Sequence, residues 1–207
     1  MSYVFDPEVL HTIVRRVVGG PREQVFDRLV AELDHAYPGR VYIGERQWIF
    51  NNAGGAMGQM TFLHASLTEY LTIFGTPIGT EGHSGRYSTE VWDYLLDGEM
   101  WGYEEGATDR EVLLPGEVHH LVGKVAKGYR IPDHAWMLEY SRGSILSMFP
   151  FGLADTLTST LDLSVLARTV TGYGARVVDD LRVRSRPAIS RPVPKAPPAP
   201  VEIRAEA

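Results

Sequence analysis

The chain has 207 residues, 44% of them hydrophobic and 10% aromatic, with a charged fraction of 22%; this is enough for one domain with a real core and excludes global disorder. It contains no cysteine, which excludes a disulfide framework, a thiol nucleophile and a zinc site built on thiolates. The net charge of −6 is uneven: six basic and two acidic residues lie from Arg182 onward, leaving 14 basic against 24 acidic in residues 1–181, a net of −10 that argues against nucleic acid as a partner.

The first elements read as helices. Asp6-Pro7-Glu8 is a helix start, with Asp6 as N-cap and Pro7 in the first turn, and Val9, Leu10, Ile13, Val14 and Val17 follow at helical spacing until Gly19-Gly20. Pro21 opens a second helix with an apolar stripe of Val25, Leu29, Val30 and Leu33, ended by Pro38-Gly39. After Val41 the pattern changes to short apolar runs broken by glycine, proline and polar turns, the signature of an antiparallel barrel or sandwich. Predicted strands are Thr61–Leu67, Tyr70–Phe74, Glu111–Leu114, Glu117–Val122 and Ala135–Tyr140.

Helical periodicity returns over Phe151–Ser159 and Leu161–Leu181, where Leu163, Leu166, Ala167, Val170, Tyr173 and Val177 share one side. That stripe suits either core packing or a membrane surface. Six prolines between Pro187 and Pro200 predict a flexible tail. The expected organisation is N-terminal helices over 1–40, a β domain over 41–145, a helical pair over 146–183 and the tail over 184–207. No apolar run reaches the ~18–20 residues of a membrane span, and Met1–Asp6 lacks the plan of a signal peptide. The chain is expected to be cytoplasmic or peripheral to a membrane.

Two acids stand inside apolar stretches: Asp93 in Val91-Trp92-Asp93-Tyr94-Leu95-Leu96 and Glu139 in Trp136-Met137-Leu138-Glu139-Tyr140. An ionised carboxylate in an apolar wall is costly unless it is paired, protonated or met by a cation. If the two faced each other they could share a proton, with one pKa raised toward neutrality. The alternative is an ordinary ion pair between Glu139 and Arg142 or Arg86. In a strand, Met137 and Glu139 occupy one face, and Trp136, Leu138 and Tyr140 the other.

Other chemistries find little support. His64, His83 and His134 are isolated and His119-His120 would point to opposite faces of a strand, so no metal site is expected. There is no Gly-x-Ser-x-Gly elbow, Walker motif or dinucleotide fingerprint, and no cofactor is expected. The small-residue spacing in Gly54-Gly55-Ala56-Met57-Gly58 reads as close backbone packing.

Taken jointly, several motifs are specific. They are Asn52-Ala53-Gly54-Gly55, Leu63-His64-Ala65-Ser66-Leu67 with Glu69-Tyr70, and Gly82-His83-Ser84-Gly85-Arg86-Tyr87. Further on come Pro115-Gly116-Glu117, Trp136-Met137-Leu138-Glu139-Tyr140 with Arg142-Gly143, and Leu153-Ala154-Asp155-Thr156. In this order the chain resembles, from about Val4 to Leu181, the family of fungal C-8 sterol isomerases and the type-one sigma receptor of animals.

The resemblance implies an α+β, mainly β fold: a cupin-like antiparallel β-barrel with N-terminal helices outside and two C-terminal helices covering the barrel mouth against a membrane, the endoplasmic reticulum in a eukaryotic cell. It implies a homotrimer with Gly54–Gly58 at a subunit contact. It assigns Glu139 to the ligand's cationic nitrogen, or to catalysis, with Asp93 hydrogen-bonded to it. Met60, Phe62, Tyr70, Phe74, Phe149 and Tyr173 fall in the ligand-binding wall, and Ile131 and Trp136 are placed with them. The implied activity is a shift of a sterol ring double bond from Δ8 to Δ7, and the alternative is a non-catalytic binder of cationic amphiphiles. Three departures stand out: the N-terminal transmembrane helix of eukaryotic members is missing, Ala56 and Ile131 replace bulky aromatics of the receptor, and the proline-rich tail has no counterpart.

Overall fold

A computed structural model describes residues 3–185; nearly all of the predicted proline-rich tail lies outside them. Helix α1 spans Pro7–Val17, and the Asp6 side chain caps it by accepting from the N–H groups of Glu8 and Val9. Helix α2 spans Arg22–Ala36. Gly19 and Gly20, at φ +95° and +87°, make the reversal between them.

Among the described residues ten strands follow: β1 Ile49–Ala53, β2 Ala56–Ala65, β3 Glu69–Thr76, β4 Thr80–His83, β5 Thr89–Gly98, β6 Met100–Glu104, β7 Glu111–Leu113, β8 Val118–Leu121, β9 Lys127–Ile131 and β10 Ala135–Gly143. They form a six-stranded antiparallel sheet ordered β1-β2-β3-β10-β5-β8 and a four-stranded one ordered β4-β9-β6-β7. Among the described residues the ladders do not join into a closed ring, so the expected barrel is an open cage of two sheets. Phe74, Leu95 and Met137 from the large sheet pack with Met100, Leu113 and Ile131 from the small one. Gly54 and Gly55, both at positive φ, turn the β1–β2 hairpin. A side chain at Gly54 would lie within 2.3 Å of the His83 carbonyl, so tight packing within the chain already accounts for glycine there.

Alternation along the large sheet sorts its two faces. Outward-facing Leu63, Leu71, Ile73, Trp92, Tyr94, Trp136, Leu138 and Tyr140 meet α1 and α2 through Leu10, Val14, Phe26, Leu29 and Leu33. Each such side chain contributes roughly 1.5–3 kcal/mol by burial. Glu69, fully buried, ties the N-terminal segment down by accepting from the Val4 N–H at 2.8 Å and the Tyr140 hydroxyl at 3.0 Å.

The C-terminal pair is α3, Phe149–Asp155, and α4, Leu163–Arg184, joined by a single π-helical turn over Thr156–Thr160 and by Leu161 at φ +51°. Both pack on β1 and β2 strands of the large sheet: α3 against β1, α4 against both. Asp180 anchors α4 by accepting from Arg40 at 3.0 Å and Arg184 at 2.5 Å. The expected apolar stripe is only partly covered: Leu166, Tyr173 and Val177 are half-buried, whereas Leu163 and Val170 are exposed.

Candidate functional site

The inward face of the large sheet, the small sheet and the C-terminal helices enclose a cavity of about 270 Å³. Its walls are mostly apolar, with Met60, Phe62, Phe74, Val91, Met137 and Phe149 among them. Two carboxylates enter this wall. In the antiparallel ladder Glu139 on β10 stands directly opposite Asp93 on β5, and Asp93 stands opposite His119 on β8. Residues so paired have Cβ atoms about 5 Å apart. The acids lie 46 positions apart in the chain, with β6 to β9 between their strands, so only strand pairing brings them together.

Glu139 accepts a hydrogen bond from the Tyr70 hydroxyl at 2.5 Å. Burial pushes its pKa up to about 8, the Asp93 charge adds to the rise, and the Tyr70 bond opposes it. The carboxyl is walled in by protein yet fronts the cavity, so an occupant can reach it. The hydroxyls of Tyr70, Tyr87 and Tyr129 are all raised above their usual value, by burial first and by the charge of Glu139 next, and remain neutral. The ordinary ion-pair alternative is not what the side chains make. Arg142, on the opposite strand face from Glu139, pairs with Glu90 at 3.2 Å, and Arg86 lies 3.5 Å from Glu105.

Met60, Phe62, Tyr70, Phe74, Phe149 and Tyr173 all line the cavity with Glu139 and Asp93. Two expected members do not. Trp136 faces the helices, with its ring 5.2 Å from Trp48 and 5.4 Å from Phe26, because it is one residue out of phase with Met137 and Glu139. Ile131 is buried in one cluster with the lining side chains Phe74, Met100 and Met137 and does not itself line the cavity. Sequence reasoning missed Thr72, Val91, Tyr87, Tyr129, His119 and Leu121 in the lining. Period-two spacing from Tyr70 and Asp93 would have found Thr72 and Val91. Tyr87 lies in the loop after β4, where its hydroxyl donates to the Ser84 carbonyl at 2.9 Å, and no periodic signal marks it.

A two-sheet cage with an apolar interior and one pair of facing acids in its wall defines a protein that holds a hydrophobic small molecule. The chain belongs to the family described as ERG2 and Sigma1 receptor like protein, whose pattern matches residues 1–185. It is 45% identical over 183 residues to the C-8 sterol isomerase of Neurospora crassa, covering 86% of this chain and 72% of that protein. It is 44% identical over 175 residues to the sigma non-opioid intracellular receptor 1 of Xenopus tropicalis, covering 84% and 79%. Among solved structures it is similar to an RmlC-like cupin from Shewanella frigidimarina, with a TM-score of 0.42 and 17% identity over 51% of this chain and 89% of that one.

Proposed function

We propose that the chain is a sterol isomerase of the C-8 type, moving a ring double bond from Δ8 to Δ7 by proton transfer in this cavity. The observation that carries the proposal is the Glu139–Asp93 pair, in which burial and like charge hold the Glu139 proton near neutral pH. Protonated Glu139 gives its proton to one alkene carbon. The π electrons form the new C–H bond, and a carbocation is left on the neighbouring carbon. The charge of the carboxylate pair, in a cavity with little water, stabilises that cation. A C–H bond on the next carbon then breaks; its electrons become the new double bond and its proton passes to the pair. Tyr70 orients the Glu139 carboxyl, and the apolar wall holds the rings. Neither a metal nor a redox cofactor takes part in this sequence of steps.

A second reading, a receptor-like binder of cationic amphiphiles, draws on the 44% identity to the sigma receptor; the same acids would meet an ammonium group. Incubating pure protein with a Δ8 sterol and following the double bond by mass spectrometry separates the two. The isomerase yields Δ7 product, and Glu139→Gln yields none. No product from wild type, alongside amine binding that Glu139→Gln abolishes, selects the binder.

Peripheral membrane contact belongs to the proposal, in a eukaryotic cell at the endoplasmic reticulum. Leu157, Leu161, Leu163 and Leu181 are at least half exposed on the C-terminal pair, while no helix among the described residues is long and apolar enough to cross a membrane. A homotrimer is proposed on the family resemblance alone.

A further inference from the structure

The acid pair has a third neighbour that the isomerisation does not use. His119 sits opposite Asp93 in the β5–β8 ladder, and its Nδ1 lies 3.4 Å from Asp93 Oδ2. The side chain is 5% exposed, and its Nε2 is buried without a hydrogen-bond partner among the described residues. An orphaned ring nitrogen at such a position costs free energy unless water or a proton visits it.

The geometry around Nε2 shows where that visitor would come from. His119 and Lys127 line both the inner cavity and a separate open groove outside it, between α1, β7 and β8. Opposite Nε2 stands Gly102 on β6; an added Cβ there would lie 3.7 Å from Nε2 and 4.0 Å from Glu111 Oε2, so the space is kept clear of side chain. Beside it the Lys127 ammonium is held by Glu111 at 3.2 Å and Glu104 at 3.4 Å. The imidazole thus spans the wall, with Nδ1 on the buried acids and Nε2 toward the groove. The adjacent His120 is turned away and stacks on Trp92 at 4.4 Å.

We propose that His119 is a positioning residue that connects the Asp93–Glu139 pair to solvent, passing protons between the groove and Asp93. The transfer balances. Nε2 accepts a proton from a hydronium ion or buffer acid in the groove, whose conjugate base stays in the solvent; the Nδ1–H bond breaks toward Asp93 Oδ2, and the ring is left neutral as the other tautomer, and the reverse path carries a proton out and restores it. The inference rests on the isomerase reading. It adds that the proton removed from one substrate is exchanged with solvent before the next is protonated.

The test is turnover of excess Δ8 sterol in D2O, with deuterium in the Δ7 product measured by mass spectrometry for wild type, His119→Asn and His119→Gln. Both replacements keep a polar group beside Asp93 but cannot relay a proton. Wild-type product carries solvent deuterium at the protonated carbon. In the variants KM stays within about twofold, and the product carries mostly protium, recycled within the closed pair. Full deuterium incorporation by either variant overturns the inference, whatever happens to its rate, and leaves the isomerase reading intact. Absence of product from wild type overturns the isomerase reading itself.

Discussion

Tyr70→Phe removes one atom and tests the electrostatics of the site. The phenol donates to Glu139 at 2.5 Å and is the one influence that lowers the pKa of this carboxyl against burial and Asp93. A hydrogen bond to a charged group contributes about 1.5–3 kcal/mol, or roughly one to two pKa units. Without it Glu139 should titrate above its present value of about 8. A hydrophobic tertiary amine pairs with the ionised carboxyl, so at pH 7 its affinity should fall by about ten- to a hundredfold. Isothermal titration calorimetry from pH 6 to 10 reads this as a shift of the binding midpoint to higher pH. A midpoint that stays put, or moves down, refutes the role given to the Tyr70 hydroxyl.

Other outcomes follow from the same contacts. Glu139→Gln should be more stable than wild type at pH 8: the native carboxyl holds its proton up to about 8 and the unfolded one only to 4.5, so wild type loses stability as pH rises through that window. The advantage, on the order of a few kcal/mol, should vanish below pH 4.5 in thermal denaturation scans. Asp93→Asn removes the like charge, so Glu139 should titrate lower, read as an amine-binding midpoint shifted to lower pH. Trp136→Ala should cost roughly 3–5 kcal/mol by chemical denaturation, with amine affinity of the folded protein unchanged because Trp136 faces α2. Glu69→Ala strips the Val4 and Phe5 N–H groups of their acceptor and should speed hydrogen exchange at both, with a stability loss of about 1–3 kcal/mol.

Helix caps, apolar stripes and the two intrusive acids could be read from the chain because each is a local pattern. Asp6-Pro7 and Gly19-Gly20 mark α1 within a residue or so. The meeting of Asp93 and Glu139 is not local. It depends on β10 inserting between β3 and β5, and the family resemblance, rather than spacing, anticipated it. Trp136 shows the converse. Strand alternation already put it on the face opposite Glu139, and grouping it with the ligand wall overrode that rule. Ile131 is absent from the lining for another reason: whether it reaches the cavity depends on how it packs with Phe74, Met100 and Met137, which no one-dimensional pattern encodes. Tyr87 and His119 reach the acids from a loop and from an edge strand, where neither composition nor period distinguishes them from surface residues.

The central claim is that Glu139 is a carboxylic acid, not a carboxylate, at neutral pH. Infrared difference spectra between pH 5 and 10 test it directly, comparing wild type with Glu139→Gln. The account predicts a protonated-carboxyl band that disappears with a midpoint near 8 and is missing from the variant. Ionisation of Glu139 in the ordinary carboxylate range, complete by about pH 6, would contradict it.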